Sequence, residues 1–118
     1  MKNSPARPKR GDIWLVNFNP GRGSEQKGIR PALVVQNDIG NEYGSTTIIA
    51  AITTTIKTFP VTVLLPQSTT SLDKPSMVNA AQLLTVDKAR LTKKLGVLNQ
   101  AQMTAVDGAL RVSVGLEV

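Results

Sequence analysis

The sequence predicts a small, mainly β domain in which a strongly bent sheet or partly open barrel carries one C-terminal helix. Short runs rich in β-branched residues recur at close spacing between glycine and proline turns, which is typical of such sheets. Only the C-terminal end has the period of an amphipathic helix. No internal repeat or linker divides the 118 residues, so we expect one domain with its own core.

The strands are predicted in order along the chain. The first covers Asp12 to Phe18, where alternation separates Ile13, Leu15 and Asn17 from Trp14, Val16 and Phe18. A glycine-rich loop follows, and then the strand RPALVVQN, the turn-rich connection DIGNEYGS, and the strand TTIIAAITT. VTVLL is predicted to form a fourth strand, and QSTTSLDKPS is predicted to be a loop. Met77 to Val86 is predicted to form one or two short strands. Trp14, the only tryptophan, is expected in the core rather than in a stacking role at the surface.

The helix is predicted from a capping signal. Asn99 can cap a helix N-terminus, and Gln102 stands three residues later, where a capping box requires a glutamine or glutamate. Beyond it Met103, Val106, Leu110 and Val114 mark one apolar face. We expect this face to pack on the sheet.

Composition excludes several kinds of site. The chain has no cysteine and no histidine, which removes disulfides, thiol nucleophiles, imidazole bases and the usual catalytic triads. Its eight acids are scattered, so neither a metal site nor a cofactor is expected. Gly23 and Gly28 have P-loop spacing but lack the lysine and the following helix, so nucleotide binding is rejected. No apolar run spans a bilayer and no signal peptide is apparent, so we expect no membrane association and a cytoplasmic location.

The net charge of +6 is unevenly placed. Lys2, Arg7, Lys9 and Arg10 lie in the first ten residues without an acid among them. We therefore divide the chain into a basic, flexible arm at residues 1–9 and a single domain at 10–118. Such an arm is attracted to any polyanion, and it also serves simply as a solubilising tail.

Arg30 stands where the polar loop GSEQKGI meets an apolar strand, a place where structure alone would favour valine or threonine. It could pair with Glu25 or Asp38, or it could bind phosphate through its rigid fork of donors. Arginine, threonine, serine and glutamine perform little acid and base chemistry at neutral pH. They suit a phosphodiester reaction in which RNA supplies the nucleophile, its own 2′-hydroxyl.

Four segments together resemble the MazF/PemK family of toxin endoribonucleases: RGDIWLVNFNP, GSEQKGIRPALVVQND, TTIIAAITT and SMVNAAQLLTVDKARLTKKLG. The resemblance implies an SH3-like small barrel of the CcdB/PemK-like toxin fold, assembled as a homodimer. It also implies metal-independent cleavage of single-stranded RNA, leaving 2′,3′-cyclic phosphate and 5′-hydroxyl ends, and inhibition by a cognate acidic antitoxin similar to MazE.

The resemblance also assigns residues. Arg30 and Thr53 fall on the catalytic pair, and Ser24 and Gln82 on assisting groups. Glu25, Gln26, Lys27 and Lys57 are expected to contact RNA. Relatives often carry an arginine where this chain has Leu84, which affects the recognised RNA sequence more than the chemistry. Two alternatives stay open: a non-enzymatic toxin that poisons a protein such as DNA gyrase, as CcdB relatives do, and an RNA-binding barrel without catalysis.

Overall fold

A computed structural model describes residues 6–19, 28–66 and 72–116. Within them the strands are β1 (Asp12–Asn17), β2 (Ile29–Val34), β3 (Thr46–Thr53), β4 (Thr62–Leu65), β5 (Ser76–Asp87) and β6 (Leu91–Val97). The helices are α1 (Asp38–Tyr43) and α2 (Gln100–Val114), and a 3₁₀ turn (Lys88–Arg90) joins β5 to β6.

The strands form one antiparallel sheet in the order β4-β5-β3-β2-β1-β6. Three other strands lie between β5 and β6 in this order, yet only the 3₁₀ turn separates them in sequence. Val86 of β5 and Leu91 of β6 meet in one hydrophobic cluster. The sheet therefore curls on itself, as the predicted bent sheet or open barrel requires.

Apolar residues are buried on both faces of the sheet. A first cluster includes Ile13, Leu33, Ile52 and Val78, and it is completed by Val106 of α2. A second cluster on the other face holds Val16, Phe18, Ala32, Val34, Ile49, Val86 and Leu91, with Trp14 packed against it. Both predictions, the alternation of β1 and the core position of Trp14, are confirmed.

The C-terminal helix is confirmed with its cap. The Asn99 side chain accepts a hydrogen bond from the Gln102 amide at 2.8 Å, and the Gln102 side chain accepts one from the Asn99 amide at 2.9 Å. Val106 is buried in the first cluster, and Met103 and Leu110 pack against that cluster. Val114, however, is 54% exposed, so its predicted place on the packed face is wrong. It is the last residue of the helix, where the chain leaves the sheet.

The connection DIGNEYGS is not a turn-rich loop, as predicted, but the short helix α1. Its stability comes from contacts that the local sequence does not show. The Asn37 side chain caps the helix by accepting from the Gly40 amide at 2.8 Å. Asn41 is buried and accepts a hydrogen bond from the Thr47 hydroxyl at 2.6 Å, which ties α1 to β3.

Two further differences concern the strands near the C-terminus. Met77 to Val86 belongs to one twelve-residue strand, β5, which is longer than the one or two short strands predicted. Its pairing with β3 jumps from Asn79 to Leu83 between Ala51 and Ala50, and this bulge interrupts the apolar pattern. β6 was not predicted at all, because its adjacent lysines, Lys93 and Lys94, hide the alternation of a strand.

Part of the N-terminal arm lies against the domain. Ala6 packs against the second cluster and Pro8 is buried. The Lys9 amide donates to the buried Asp12 carboxylate at 2.9 Å. Residues 1–5 lie outside the described part of the chain, so the division at residue 9 stays a prediction.

Candidate functional site

Arg30 is the second residue of β2 and is exposed. Val16 of β1 stands opposite it, and Leu91 of β6 stands opposite Val16 on the far side of β1. Because strand residues two apart share a face, Arg30 points to the same side of the sheet as Ala32 and Val34 of the second cluster. The backbone of Arg30 is therefore part of a row of paired residues across three strands, at the margin of a packed core.

Thr53 ends β3 and is half-buried. Ala32 pairs with Ala51 in the β2–β3 ladder, and Arg30 and Thr53 each lie two residues beyond this pair on their strands. The same antiparallel register, continued, sets Arg30 opposite Thr53, with both on one face. Two residues that are 23 positions apart in sequence therefore belong to one edge of the sheet.

The Thr53 hydroxyl oxygen is held by a hydrogen bond from the main chain. Its oxygen accepts a hydrogen bond from the Thr55 amide at 3.1 Å, just beyond the strand. A hydroxyl has one proton and two lone pairs, so this acceptor role leaves its proton available for donation. β-Branching further limits the rotation of the side chain. A phosphate oxygen in front of Thr53 would meet an oriented donor.

Two other predicted residues lie on the elements next to Thr53. Met77 pairs with Thr53 in the β3–β5 ladder, and its sulfur accepts a hydrogen bond from the Lys57 amide at 3.3 Å. This bond holds the exposed Lys57 close to the end of β3. Gln82 is exposed and lies in the bulge of β5, between the residues that pair with Ala50 and Ala51.

Leu84, at the position where relatives often have arginine, packs against the second cluster. Its side chain therefore contributes to apolar packing and supplies no charge to the site. Ser24, Glu25, Gln26 and Lys27 lie outside the described residues, so their predicted roles stay predictions.

The short segment before Arg30 is tied to the end of β1. The Phe18 amide donates to the Gly28 carbonyl at 2.8 Å, and the Gly28 amide donates to the Asn19 side chain at 3.0 Å. Gly28 has φ +71°, a conformation that favours glycine. One nitrogen of Arg90, Nη1, donates to the carbonyls of Asn17 at 3.0 Å and Asn19 at 2.5 Å.

Sequence reasoning did not identify Arg90. Its two partners lie 73 and 71 residues earlier in the chain, so no local spacing could reveal the contact. The only signal was its place within the DKARLTKKLG segment of the family resemblance.

A cavity of about 730 Å³ lies at the other end of β2, between α1, the 3₁₀ turn and residues 6–9. Here the Arg10 amide and the Asn41 side chain, in that order of importance, lower the pKa of Asp38 by hydrogen bonding to its carboxylate. The cavity contains neither Arg30 nor Thr53. The candidate functional site is therefore the edge of the sheet with Arg30 and Thr53, whose side chains can bind phosphate, and not this cavity.

In the described residues, no three acidic side chains lie close enough together to hold a metal ion. None of the described helices is both long and apolar enough to traverse a bilayer.

Residues 9–114 match the family described as "PemK-like, MazF-like toxin of type II toxin-antitoxin system". An endoribonuclease MazF of Staphylococcus epidermidis is 44% identical over 110 residues, which cover 92% of each chain. A mycobacterial endoribonuclease solved with its cognate antitoxin superposes with a TM-score of 0.81 at 28% identity, covering 94% of this chain and 98% of that one. MazF of Deinococcus radiodurans gives 0.78 at 28% identity, with 93% and 98% covered.

Proposed function

The chain belongs to the PemK-like, MazF-like toxins of type II toxin-antitoxin systems and is an endoribonuclease; from this membership we propose that it cuts single-stranded RNA by attack of the substrate's own 2′-hydroxyl. The observation that supports the proposal is the β2–β3 register, which, continued by two residues beyond the Ala32–Ala51 pair, sets Arg30 opposite Thr53 on one face. The chain has no histidine or cysteine to provide a base or a protein nucleophile.

The reaction is a transfer within the substrate. The 2′-oxygen forms a bond to the adjacent phosphorus, the bond from phosphorus to the 5′-oxygen breaks, and a 2′,3′-cyclic phosphate and a 5′-hydroxyl result. The 2′-hydroxyl loses its proton to water, and the departing 5′-oxygen gains one from water. Since the nucleophile is already next to the phosphorus, the protein's task is to fix the geometry and stabilise charge.

Arg30 stabilises the charge that grows on the non-bridging phosphate oxygens. A guanidinium stays cationic at any physiological pH and offers paired donors that match these oxygens. Its position at the sheet margin provides preorganisation, since the row through Val16 and Leu91 fixes the backbone before RNA binds. We assign Arg30 electrostatic stabilisation and not proton donation, because a guanidinium in a protein does not give up its proton.

Thr53 donates its hydroxyl proton to a phosphate oxygen or fixes the attacking 2′-hydroxyl, as the bond from the Thr55 amide orients its oxygen. Gln82 and Ser24 assist by hydrogen bonding. Lys57, together with Glu25, Gln26 and Lys27, contributes to the choice of RNA sequence. The proposed steps use no metal, because the substrate supplies the nucleophile and Arg30 supplies the charge stabilisation.

We further propose a homodimer that acts in the cytoplasm and is kept inactive by an acidic antitoxin. The net charge of +6 favours such a partner, and it favours RNA on the same physical ground. Antitoxin complexes are known for similar mycobacterial and Deinococcus proteins. Release from the antitoxin would expose the site to RNA and so inhibit translation and growth.

The test is incubation of the purified protein with a mixed single-stranded RNA in the presence of EDTA. We expect discrete fragments that end in cyclic phosphate, and no cleavage where the scissile nucleotide is 2′-deoxy. Bound but intact RNA would indicate a binding barrel without catalysis, and inert RNA would favour a toxin with a protein target. Loss of activity in EDTA, or cutting of the deoxy substrate, would refute the mechanism.

A further inference from the structure

The contact between Arg90 and β1 joins two distant parts of the chain at the edge that carries Arg30. Arg90 ends the 3₁₀ turn, and the next residue, Leu91, is buried in the second cluster, so the arginine begins from a fixed backbone. Its Nη1 donates to the carbonyls of Asn17 and Asn19 at 3.0 and 2.5 Å. Both acceptors are neutral main-chain groups, hence the contact is not an ion pair.

These carbonyls lie at the end of β1 and just beyond it. β1 pairs there with β2, the strand that carries Arg30. Asn17 pairs with Ile29, the residue before Arg30, and Asn19 accepts the Gly28 amide through its side chain at 3.0 Å. The Asn17 side chain in turn accepts the Asn19 amide at 3.0 Å. Thus the end of β1 accepts hydrogen bonds from Arg90, and it also contacts Gly28 and Ile29, the two residues that precede Arg30.

We propose that Arg90 is a positioning residue for the ribonuclease reaction: it fixes the end of β1 and thereby the place of the Arg30 guanidinium. This inference rests on the proposed function. Arg90 does not contact RNA in this scheme, and it acts on the chemical step and not on binding. A misplacement of about 1 Å in a catalytic group reduces rates by roughly a hundredfold.

The experiment compares Arg90→Ala with Lys88→Ala, which removes a cation from the same 3₁₀ turn while its backbone bond to Ser45 remains. In single-turnover cleavage at saturating RNA, we expect Arg90→Ala to be roughly ten- to a hundredfold slower than wild type. Lys88→Ala should cleave at close to the wild-type rate. Arg90→Lys, which can still donate to the carbonyls, should recover part of the loss.

Two further readouts separate positioning from direct phosphate binding and from unfolding. The salt dependence of affinity for 2′-deoxy RNA should keep its slope in Arg90→Ala, whereas the loss of a phosphate contact would reduce that slope by about 0.7. Hydrogen exchange at the Gly28 and Phe18 amides should accelerate in Arg90→Met, which keeps an apolar stem but loses every donor to the Asn17 and Asn19 carbonyls, even if Arg90→Ala fails to fold. This measurement does not depend on activity.

If folded Arg90→Ala cleaved RNA at the wild-type rate, the inference would be overturned and the proposed function would stay intact. A reduced salt slope in Arg90→Ala, or unchanged exchange at Gly28 and Phe18 in Arg90→Met, would also overturn it. Failure of the wild-type protein to cleave RNA would instead refute the proposed function, while the exchange result would still decide whether Arg90 holds this edge.

Discussion

At the scale of single residues, the candidate site depends on hydrogen-bond donors that are held in position and not on general acids or bases. Thr53→Val removes the hydroxyl while it keeps a β-branched side chain of similar shape at the end of β3. We expect cleavage to slow by roughly a hundredfold, since one preorganised donor is lost. Thr53→Ser, which keeps the hydroxyl, should retain much of the activity. Single-turnover rates measure both variants, and equal rates for valine and wild type would remove Thr53 from the mechanism.

A second residue, Asp38, links stability to pH. Folding lowers its pKa below the usual 3.8, chiefly through the hydrogen bond from the Arg10 amide. Its contribution is therefore present above the unfolded pKa and is lost as the pH falls through the lowered folded value. Asp38→Asn should reduce Tm at pH 7, and the difference should shrink below about pH 4. Glu42→Gln, the same loss of charge within α1, is the matched control, and a pH-independent Asp38→Asn difference would contradict the assignment.

At the scale of elements, α2 is where local sequence and structure agree most closely. Asn99→Ala removes the acceptor for the Gln102 amide, so we expect a loss of about 1 kcal/mol in the free energy of unfolding. Gln100→Ala alters an exposed residue in the first turn and should change it by less than about 0.5 kcal/mol. Urea unfolding at one fixed protein concentration measures both, and equal effects would show that the cap adds nothing specific.

Local pattern was sufficient for elements whose stability is mainly local, and it failed where distant contacts decide. The capping box of α2 and the β-branched run of β3 are complete within a few residues. α1, in contrast, depends on a bond between Asn41 and Thr47, and β6 on pairing with β1 nearly 80 residues away. A short polar helix and a strand with adjacent lysines have little signal of their own.

The candidate site divides in the same way. Arg30 was predicted because it stands at the boundary between a polar loop and a strand, whereas Thr53 was assigned by the family resemblance alone. Their shared face required the β2–β3 register, which the sequence does not state. Arg90 could not be found before the curled sheet brought the 3₁₀ turn to the end of β1. Motifs therefore identify reacting groups, whereas the fold identifies what holds them in place.

At the scale of the whole molecule, the charge of +6 should make RNA binding strongly dependent on salt. For a single strand the slope of log K against log salt is about −0.7 per neutralised phosphate. In the proposed mechanism Arg30→Ala removes a cation that faces a phosphate, so we expect its slope to be shallower by about 0.7. Thr53→Val should keep the wild-type slope, although both variants should cleave slowly. Affinity for 2′-deoxy RNA, measured by fluorescence anisotropy from 50 to 200 mM salt, tests this difference. Equal slopes for wild type and Arg30→Ala would mean that the guanidinium does not meet a phosphate in the bound state, and the electrostatic role of Arg30 would fail.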